Sequence, residues 1–401
     1  MLQRSRPTSV TGLDTWDVSS LTTPAFVYDE KSIRETLTFV KNLANEVGCN
    51  LLFSLKSFTV VDALTMMAPM LDGFASSSFF EAVLARSIVK RKSTVHITTP
   101  SLRPAELDDL AEICDYFSFN SLPQWLRFRP LVGSRARCGL RVNPGLSIVK
   151  DDRYNPCRTY SKLGVPLSSL KDALTNGFEK SGKVSGIHFH TNCESTTLDP
   201  LLATIKYMDL HLAGLLSSLE WINLGGGYQY DEIDSLEPLY RAVALLHQKY
   251  KLDIFIEPGE AIVGASGYMI SSVVDLFDAD GKTLAILDTS VNHMPEVYEY
   301  QYRPDVSNST SSGKYSYILA GATCLAGDLF GEYGFDAPLK IGSKIIFEFM
   351  GAYTLVKAHM FNGIALPHIY ALSDKNEFLL KKQYTFQDYI WRWKEPAYET
   401  V

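Results

Sequence analysis

Between Glu30 and Gly259 the chain alternates eight times between a short apolar segment and a longer segment with helical spacing. The longer segments, such as 79–89 and 198–216, place apolar residues at intervals of three and four. Strand–helix alternation is typical of parallel βαβ units, and eight such units close naturally into a barrel. The sequence therefore predicts an α/β fold, a (β/α)8 TIM barrel, with a doubly wound open sheet as the competing arrangement. The predicted strands are residues 51–55, 73–76, 95–98, 116–120, 138–143, 184–190, 221–224 and 253–256.

The pattern changes after Gly259, where strand-like segments follow one another without long helices between them. We therefore predict a mostly β domain at the C-terminus, with strands at 261–275, 283–289, 315–319, 344–350 and 354–360. A strand at 23–28 precedes the first helix and is expected to join this domain. The expected division is a barrel of residues 30–262 and a β domain formed by residues 1–29 and 263–401.

Composition and charge argue against several classes of protein. Hydrophobic residues make up 46% and charged residues 21% of the chain, which allows a sizeable core and excludes disorder. The net charge of -7 argues against nucleic-acid binding, which needs a basic face. Six cysteines without paired spacing indicate a reducing cytoplasm. Residues 1–16 show no signal-peptide pattern, and no apolar stretch is long enough to cross a membrane.

Reactive residue types follow the predicted barrel strands at their carboxyl ends, where enzymes of this fold place their catalytic side chains. Lys56 comes directly after the first strand, and a lysine amine can bond covalently to a carbonyl cofactor. Gly225–Gly227 follows the seventh strand as a tight turn whose backbone N–H groups suit a phosphate. Each feature also has a purely structural interpretation. Lys56 could be a lysine at a strand edge, and Gly225–Gly227 could be a turn that binds no ligand.

Two histidines and a carboxylate complete this set. His188 and His190 lie two residues apart on one predicted strand and therefore on one face, which would suit a metal pair. Neither a third ligand nor an HExxH or CxxC pattern accompanies them, so no metal is predicted. One imidazole could instead stack on an aromatic cofactor, while Glu257 could hold a pyridine nitrogen protonated. A lysine, a phosphate cradle, a stacking histidine and a carboxylate together indicate pyridoxal 5'-phosphate.

Longer motifs make the interpretation more specific. They are TPAFVYD, LLFSLKSF, SFNSLPQW, GLRVNP, RYNPCRTYSKLGV, GIHFHTNCE, INLGGGY, EPGEA, ILDTS followed by HMPEV, GATCLAGD and EFMGAYT. Through them the chain resembles the alanine racemase-like family of barrel-type pyridoxal-phosphate decarboxylases, which includes the ornithine and diaminopimelate enzymes. The resemblance runs from Thr23 to Leu366. It is strongest to the branch that converts carboxynorspermidine and carboxyspermidine to norspermidine and spermidine in polyamine biosynthesis.

The resemblance implies a role for each cofactor residue. Lys56 would hold the cofactor covalently, His190 would stack on its pyridine ring, and Glu257 would pair with the ring nitrogen. Arg141 would support the ring and the lysine. The implied phosphate ligands are Gly225, Gly226, Gly227 and Tyr353.

The resemblance also implies a homodimer with shared active sites, in which Cys324 and Asp328 are donated to the partner's site. Cys324 would return a proton to the carbon that carbon dioxide leaves. The ornithine and diaminopimelate enzymes typically have arginine after the EPG motif, whereas this chain has Glu260, which suits an ammonium group. The candidate ligands for the substrate amines are Glu260, His293, Glu296 and Asp328, with Glu299 a weaker one.

Several alternatives stay open on the sequence alone. A diaminopimelate or other basic amino-acid decarboxylase would share Lys56, but it needs a cation for the distal carboxylate, which Glu260 does not supply. An amino-acid racemase uses a catalytic tyrosine and lacks the GATCLAGD motif. A non-catalytic, cofactor-binding regulator is expected to have lost site residues. A metal-dependent barrel hydrolase would contain bound metal.

Overall fold

The computed structural model describes residues 16–394, which form two compact units. One unit comprises residues 36–262, and the other combines the chain up to Glu35 with the chain from Val263 onward. Residues 1–15, in which the sequence shows no signal-peptide pattern, and residues 395–401 lie outside the described part. Within that part, no helix has the length and apolar character needed to cross a membrane.

The elements of the described residues are numbered in chain order. The strands are β1 (Ala25–Asp29), β2 (Asn50–Ser54), β3 (Gly73–Ser76), β4 (Thr94–Thr99), β5 (Tyr116–Phe119), β6 (Arg137–Asn143), β7 (Val165–Pro166), β8 (Gly186–His188), β9 (Trp221–Asn223), β10 (Asp253–Ile256), β11 (Gly267–Ala279), β12 (Lys282–Leu287), β13 (Tyr315–Ala320), β14 (Leu329–Phe335), β15 (Lys344–Phe347), β16 (His368–Leu372) and β17 (Phe378–Lys382). The α-helices are α1 (Glu30–Val47), α2 (Val61–Met67), α3 (Phe79–Val89), α4 (Leu107–Ile113), α5 (Leu122–Val132), α6 (Leu167–Thr175), α7 (Asp199–Leu216), α8 (Glu237–Leu245), α9 (Glu260–Val263), α10 (Pro295–Tyr300) and α11 (Phe386–Ile390).

Strands β2–β6 and β8–β10 form a closed, all-parallel barrel in the unit of residues 36–262. Pairing of β10 with β2, and of β5 with β6, leaves no free edge in the ring of eight. The strands are buried along most of their length, as expected when helices cover the outside of a parallel sheet. The predicted barrel is confirmed, and each of the eight predicted segments overlaps one strand of the ring.

The helices after β3 and β5 begin at capping serines. The hydroxyl of Ser78 accepts the N–H of Glu81 at the start of α3, and that of Ser121 accepts the N–H of Gln124 at the start of α5. Both caps satisfy backbone donors that the first helical turn leaves without partners. Each of these two helices begins within a few residues of the carboxyl end of the strand before it.

Two glycines make room for a tryptophan inside the barrel. Trp221 on β9 is fully buried. A Cβ atom at Gly186 would lie 2.0 Å from its ring atom Cδ2, and one at Gly139 would lie 2.6 Å from Cζ2. Real Cβ atoms do not approach ring atoms this closely, so any larger residue at either position must displace the indole from a close-packed core.

We expect Gly186→Ala to destabilise the barrel by about 1–3 kcal/mol or more, because the new methyl group overlaps the Trp221 ring. Urea or thermal unfolding measures the effect. Gly214→Ala in α7 is the matched control, since no heavy atom outside its own helix lies within 4 Å of the added Cβ and alanine favours a helix by roughly 0.5–1 kcal/mol. Equal stability of the two variants would contradict the packing argument.

The second unit is built on a mixed sheet with strand order β14-β13-β12-β11-β1-β16-β17, and β15 also pairs with β11. Strand β1 lies inside this sheet. Val27 stands opposite Tyr268 of antiparallel β11 and opposite Tyr370 of parallel β16. The expectation that the strand before the first helix joins the C-terminal sheet is therefore confirmed.

Parts of the second unit differ from the prediction. The predicted strand at 354–360 is wrong, because Tyr353 has a positive φ of 54° and the carbonyl of Thr354 accepts the N–H groups of Lys357 and Ala358 in turns. The strand predicted from 261 begins only at Gly267, after helix α9. Strands β14, β16 and β17 were not predicted. β14 contains two glycines, and β17 is an exposed edge strand, so neither shows a clear alternating pattern.

Candidate active site

Lys56 lies in a one-turn 3-10 helix directly after β2, and its side chain is exposed. The turn is held from both sides. The N–H of Ser54 donates to the carbonyl of Pro258 at 3.2 Å, and the hydroxyl of Ser57 donates to the carbonyl of Ser54 at 2.8 Å. A Cβ at Gly259 would lie 2.6 Å from the Ser57 hydroxyl. The EPG segment therefore packs directly against the turn that carries the lysine.

The glycine turn after β9 has no room for side chains. Built Cβ atoms at Gly225, Gly226 and Gly227 would lie 2.4, 2.3 and 2.0 Å from backbone oxygens of neighbouring segments. Gly225 and Gly227 also have positive φ values of 70° and 88°, which glycine adopts without strain. The N–H of Gly225 donates to the side chain of Asn223, and that of Gly226 donates to Nδ1 of His190. The N–H of Gly227 donates to no acceptor among the described residues, and its role as a phosphate ligand stays a prediction.

Glu257 follows β10, and each of its two carboxylate oxygens lies near a side-chain nitrogen. Asn223 Nδ2 donates to Oε1 at 2.6 Å, and His188 Nε2 lies 3.4 Å from Oε2. Burial by itself raises the pKa of Glu257, but the interactions with His188 and the electrostatic effects of His96 and Lys56 outweigh it and lower the pKa to about 2. The carboxylate is therefore ionised at neutral pH.

His190 and Arg141 lie next to this carboxylate. Burial, followed by the charges of Lys56 and Arg141, lowers the pKa of His190 well below its usual value. Its ring is therefore neutral, and its Nδ1 accepts the N–H of Gly226 at 3.1 Å. Burial lowers the pKa of Arg141, while the charge of Glu257 opposes the shift. The barrel thus brings together the lysine, the glycine turn, one neutral histidine, an arginine and an ionised carboxylate.

Three further residues of the barrel are not among those that the sequence indicates. Asn223 holds Glu257, and His96 on β4 is buried and stacked on Tyr116 with ring centroids 4.1 Å apart. Glu81 lies within electrostatic reach of Lys56, and its carboxylate accepts the N–H of Ser77 at 2.6 Å. The Ser-x-x-Glu spacing of residues 78–81 is a helix-start signal that could have indicated Glu81. Nothing in the local sequence indicates the other two.

Six of the predicted site residues lie in the second unit: His293, Glu296, Cys324, Asp328, Tyr353 and the weaker candidate Glu299. Asp328 is 3% exposed and accepts four hydrogen bonds, from the hydroxyl of Ser290, the N–H of Val291 and both donors of Thr323. The carboxylate therefore ties the loop after β12 to the loop after β13. Binding of a substrate amine by Asp328 stays a prediction, and its four bonds give it first the task of holding these loops.

His293 is fully buried, and its Nδ1 lies 3.0 Å from the hydroxyl of Thr289. Burial lowers its pKa to about 4, although the charge of Asp328 opposes the shift. Glu296 lies on α10 and forms an ion pair with Lys357 at 3.0 Å, and the same ammonium lies 2.5 Å from Glu299. These groups already have neighbours within their own unit, so their roles as amine ligands stay predictions.

Cys324 is exposed, and its backbone N–H donates to the side chain of Asn362 at 2.8 Å. Tyr353 is half-buried with a positive φ of 54°. Both residues lie on loops rather than on strands or helices, as expected for residues that contact a ligand. Among residues 16–394 no group of three or more histidine, cysteine, aspartate or glutamate side chains is placed to hold a metal ion.

The residues of the barrel site fit pyridoxal phosphate in their chemistry. The glycine turn is packed so closely against neighbouring backbone that only glycine fits, Lys56 offers a primary amine, and Glu257 offers an anion for the ring nitrogen. Together with the eight-stranded barrel and the mixed sheet, these features define a pyridoxal-phosphate enzyme of the barrel type.

Comparison with known proteins gives the family. The family profile described as "Pyridoxal-dependent decarboxylase, C-terminal sheet domain" matches residues 25–351. The chain belongs to this family of pyridoxal-phosphate-dependent decarboxylases. It is 35% identical over 378 residues to a carboxyaminopropylagmatine decarboxylase of Synechocystis, covering 93% of this chain and 95% of the relative. It is 32% identical to a carboxynorspermidine/carboxyspermidine decarboxylase of Campylobacter jejuni, covering 92% and 98%.

Solved structures agree with this assignment. The carboxynorspermidine decarboxylase of Campylobacter jejuni, crystallised with norspermidine, superposes with a TM-score of 0.82 at 30% identity, covering 93% of this chain and all of that one. A diaminopimelate decarboxylase of Helicobacter pylori superposes with a TM-score of 0.79 at 20% identity, covering 93% and 97%. At that identity the second likeness supports the fold alone.

Proposed function

We propose that this protein decarboxylates carboxynorspermidine, carboxyspermidine or both, forming norspermidine and spermidine in polyamine biosynthesis. The observation that carries the substrate class is the 30–35% identity, over more than nine-tenths of the chain, to enzymes named for carboxylated polyamines or a carboxylated agmatine. Diaminopimelate decarboxylases reach only 22–25%. Glu260 supports the same class, because its carboxylate suits a substrate ammonium better than a distal carboxylate.

Pyridoxal phosphate, when bound, supplies an electron sink for the bonding pair that remains when the substrate carboxylate leaves as carbon dioxide. Lys56 holds the cofactor covalently, and ionised Glu257 keeps the proton on the ring nitrogen. Neutral His190 stacks on the ring, with its orientation set by the N–H of Gly226. Arg141 supports the ring and the lysine. Gly225–Gly227 and Tyr353 hold the phosphate, with the free N–H of Gly227 as the donor in the turn.

The substrate amines bind to acidic side chains. Glu260 is the main candidate, because it begins helix α9 directly after the EPG segment that packs on the lysine turn. Glu260 also acts electrostatically on Cys193. Burial raises the pKa of the Cys193 thiol, and the negative charges of Glu194 and Glu260 raise it further, while the charge of Lys56 opposes the shift. His293, Glu296 and Asp328 are kept as further candidates from the β unit.

We also propose a homodimer with shared active sites, on the strength of the family resemblance. Each subunit lends Cys324 and Asp328 to the partner's site, where the Cys324 thiol returns a proton to the carbon that has lost carbon dioxide. The exposed position of Cys324 on a loop supports this arrangement. The six cysteines, all of them free, support a cytoplasmic location, where thiols stay reduced.

A second candidate substrate is carboxyaminopropylagmatine, favoured by the 35% identity to the Synechocystis enzyme. An agmatine end carries a guanidinium group where a polyamine carries an ammonium group. A carboxylate such as Glu260 accepts hydrogen bonds from either cation, and it binds guanidinium in a two-pronged geometry. The charge of Glu260 is therefore compatible with both substrates, and a comparison of their turnover by the purified protein distinguishes them.

The test is a product assay on purified protein with added pyridoxal phosphate. Carboxynorspermidine, carboxyspermidine, carboxyaminopropylagmatine, diaminopimelate and ornithine are offered separately, and the amine products are resolved by chromatography. We expect turnover of carboxynorspermidine or carboxyspermidine and none of the two amino acids. Glu260→Gln is run in parallel and is expected to raise KM by about tenfold or more, because it leaves a substrate cation without its partner.

The outcomes separate the alternatives. Turnover of carboxyaminopropylagmatine alone would replace the first substrate with the second candidate. Turnover of diaminopimelate would contradict the argument from Glu260 while leaving the cofactor site intact. A protein that binds the cofactor but turns over none of the five compounds would favour a regulator.

A further inference from the structure

His188 is a buried histidine with unusual surroundings. Its side chain is 3% exposed, and neither ring nitrogen makes a hydrogen bond of good geometry with any of the described residues. A buried polar group without a partner costs roughly 1–3 kcal/mol, so such a residue needs an explanation. An aliphatic residue would fill the same space without that cost.

The neighbour that explains His188 is Glu257. His188 Nε2 lies 3.4 Å from Oε2, while Asn223 Nδ2 donates to the other oxygen, Oε1, at 2.6 Å. Each oxygen of the carboxylate therefore has one side-chain nitrogen beside it. A shift of a few tenths of an ångström brings the His188 contact to ordinary hydrogen-bond length.

Three strands place these groups. His188 is the last residue of β8, Asn223 is the last residue of β9, and Glu257 follows the last residue of β10. Neighbouring parallel strands hold their ends at fixed spacing, and His188 stands directly opposite Asn223 in the register of β8 and β9. The arrangement is therefore built into the barrel and does not depend on a loop.

We propose that His188 is a positioning residue for the cofactor, which acts with Asn223 as a two-sided clamp on the Glu257 carboxylate. The clamp fixes the plane of the carboxylate and favours its ionised form, so that Glu257 meets the ring nitrogen in one orientation. His188 donates from Nε2 in this role and does not itself touch the cofactor. The inference rests on the proposed function in so far as Glu257 pairs with pyridoxal phosphate.

The electrostatics of the barrel agree with a neutral donor. Burial lowers the pKa of His188, and the charges of Arg141 and Lys56 lower it further, although Glu257 opposes them. The second buried imidazole, His96, is also neutral, because burial lowers its pKa to about 3. A neutral imidazole carries one N–H, and the carboxylate beside Nε2 favours its placement there.

The experiment compares His188→Leu, which keeps the volume but loses the donor, with His188→Gln, whose amide nitrogen reaches the place of Nε2. For each holoenzyme we measure the dissociation constant of pyridoxal phosphate, the absorption spectrum of the bound cofactor against pH, and kcat. We expect His188→Leu to lower kcat or cofactor affinity by about 10–100-fold, the scale on which loss of a partner that orients a metal ligand lowers affinity or activity in metal sites. The pH at which the absorption spectrum of the bound cofactor changes is also expected to shift. His188→Gln is expected to restore most of the lost activity or affinity and most of the spectral behaviour.

A double-mutant cycle with Glu257→Gln separates positioning from simple packing. If His188 acts through the carboxylate, His188→Leu changes kcat by less than about threefold in the Glu257→Gln background. Equal losses in both backgrounds, or an unchanged spectrum in His188→Leu, would overturn the inference while leaving the proposed function standing. Failure of the unmodified protein to bind pyridoxal phosphate would overturn the proposed function, and the clamp with it.

Discussion

Lys56→Ala is expected to abolish covalent attachment of the cofactor and to lower kcat by roughly 10³-fold or more, the scale on which removal of a covalent catalytic group acts in other enzymes. The reason is chemical, because Lys56 is the residue of this rim whose amine can bond to the aldehyde carbon. Reduction of the holoenzyme with borohydride, followed by peptide mass spectrometry, measures the attachment. The label should fall on the peptide that contains Lys56 and disappear in the variant.

Lys56→Arg is the matched control for charge. It keeps a cation near Glu81 and Glu257 but offers no amine that can bond to the cofactor, so it should lose activity as Lys56→Ala does. It should retain more of the noncovalent affinity for pyridoxal phosphate, because the electrostatic balance of the site is preserved. A reduced adduct that persists in either variant would show that another lysine performs this role.

The barrel could be predicted from the sequence because its strands are buried on both faces and its helices on one. Those two patterns differ in period, and their eightfold alternation admits few folds. The second unit was harder because its sheet is mixed and has edges. Strand β14, with its two glycines, is specified by pairing with β13 and not by its own pattern, and β17 is exposed along nearly its whole length.

The site could be predicted in part for a similar reason. Lys56, the glycine turn and Glu257 each follow a strand directly, and the topology of a parallel barrel collects such residues at one rim. Spacing alone does not report burial or hydrogen-bond partners. The sequence therefore does not show that His293, a candidate substrate ligand, is fully buried, or that Asp328, another candidate, accepts four hydrogen bonds.

Long-range contacts account for the residues that were missed. Asn223 lies 34 positions from Glu257, and only the pairing of β9 with β10 brings the amide to the carboxylate. The spacing of His188 and His190 suits a metal pair that no third ligand completes, and the structure places His188 beside Glu257. The sequence shows a histidine at position 188, but it does not show that Glu257 is the neighbour of that histidine.

Glu257→Gln is expected to lower kcat by about 10²–10³-fold with little loss of stability, since removal of one preorganised electrostatic group at the reacting centre has effects of this size. The amide matches the carboxylate in shape, so its oxygen can still accept from Asn223 and its nitrogen can face His188. The charge is lost, however, and the ring nitrogen then has no anion to retain its proton.

The pH dependence of the absorption spectrum of the bound cofactor distinguishes the loss of the Glu257 charge from a general disturbance of the site. Because the pKa of Glu257 is low, its carboxylate stays ionised across the pH range of an activity assay, and the spectrum of the unmodified holoenzyme should show no transition from this group above about pH 4. In Glu257→Gln the ring nitrogen should lose its proton within the assay range, and activity should fall as the pH rises. Glu257→Asp keeps the charge one methylene further away and should show an intermediate loss without the new transition. If Glu257→Gln matched the unmodified enzyme in kcat and in spectrum, the ring proton would have to be held by another group, and the clamp formed by Asn223 and His188 would serve the packing of the barrel alone.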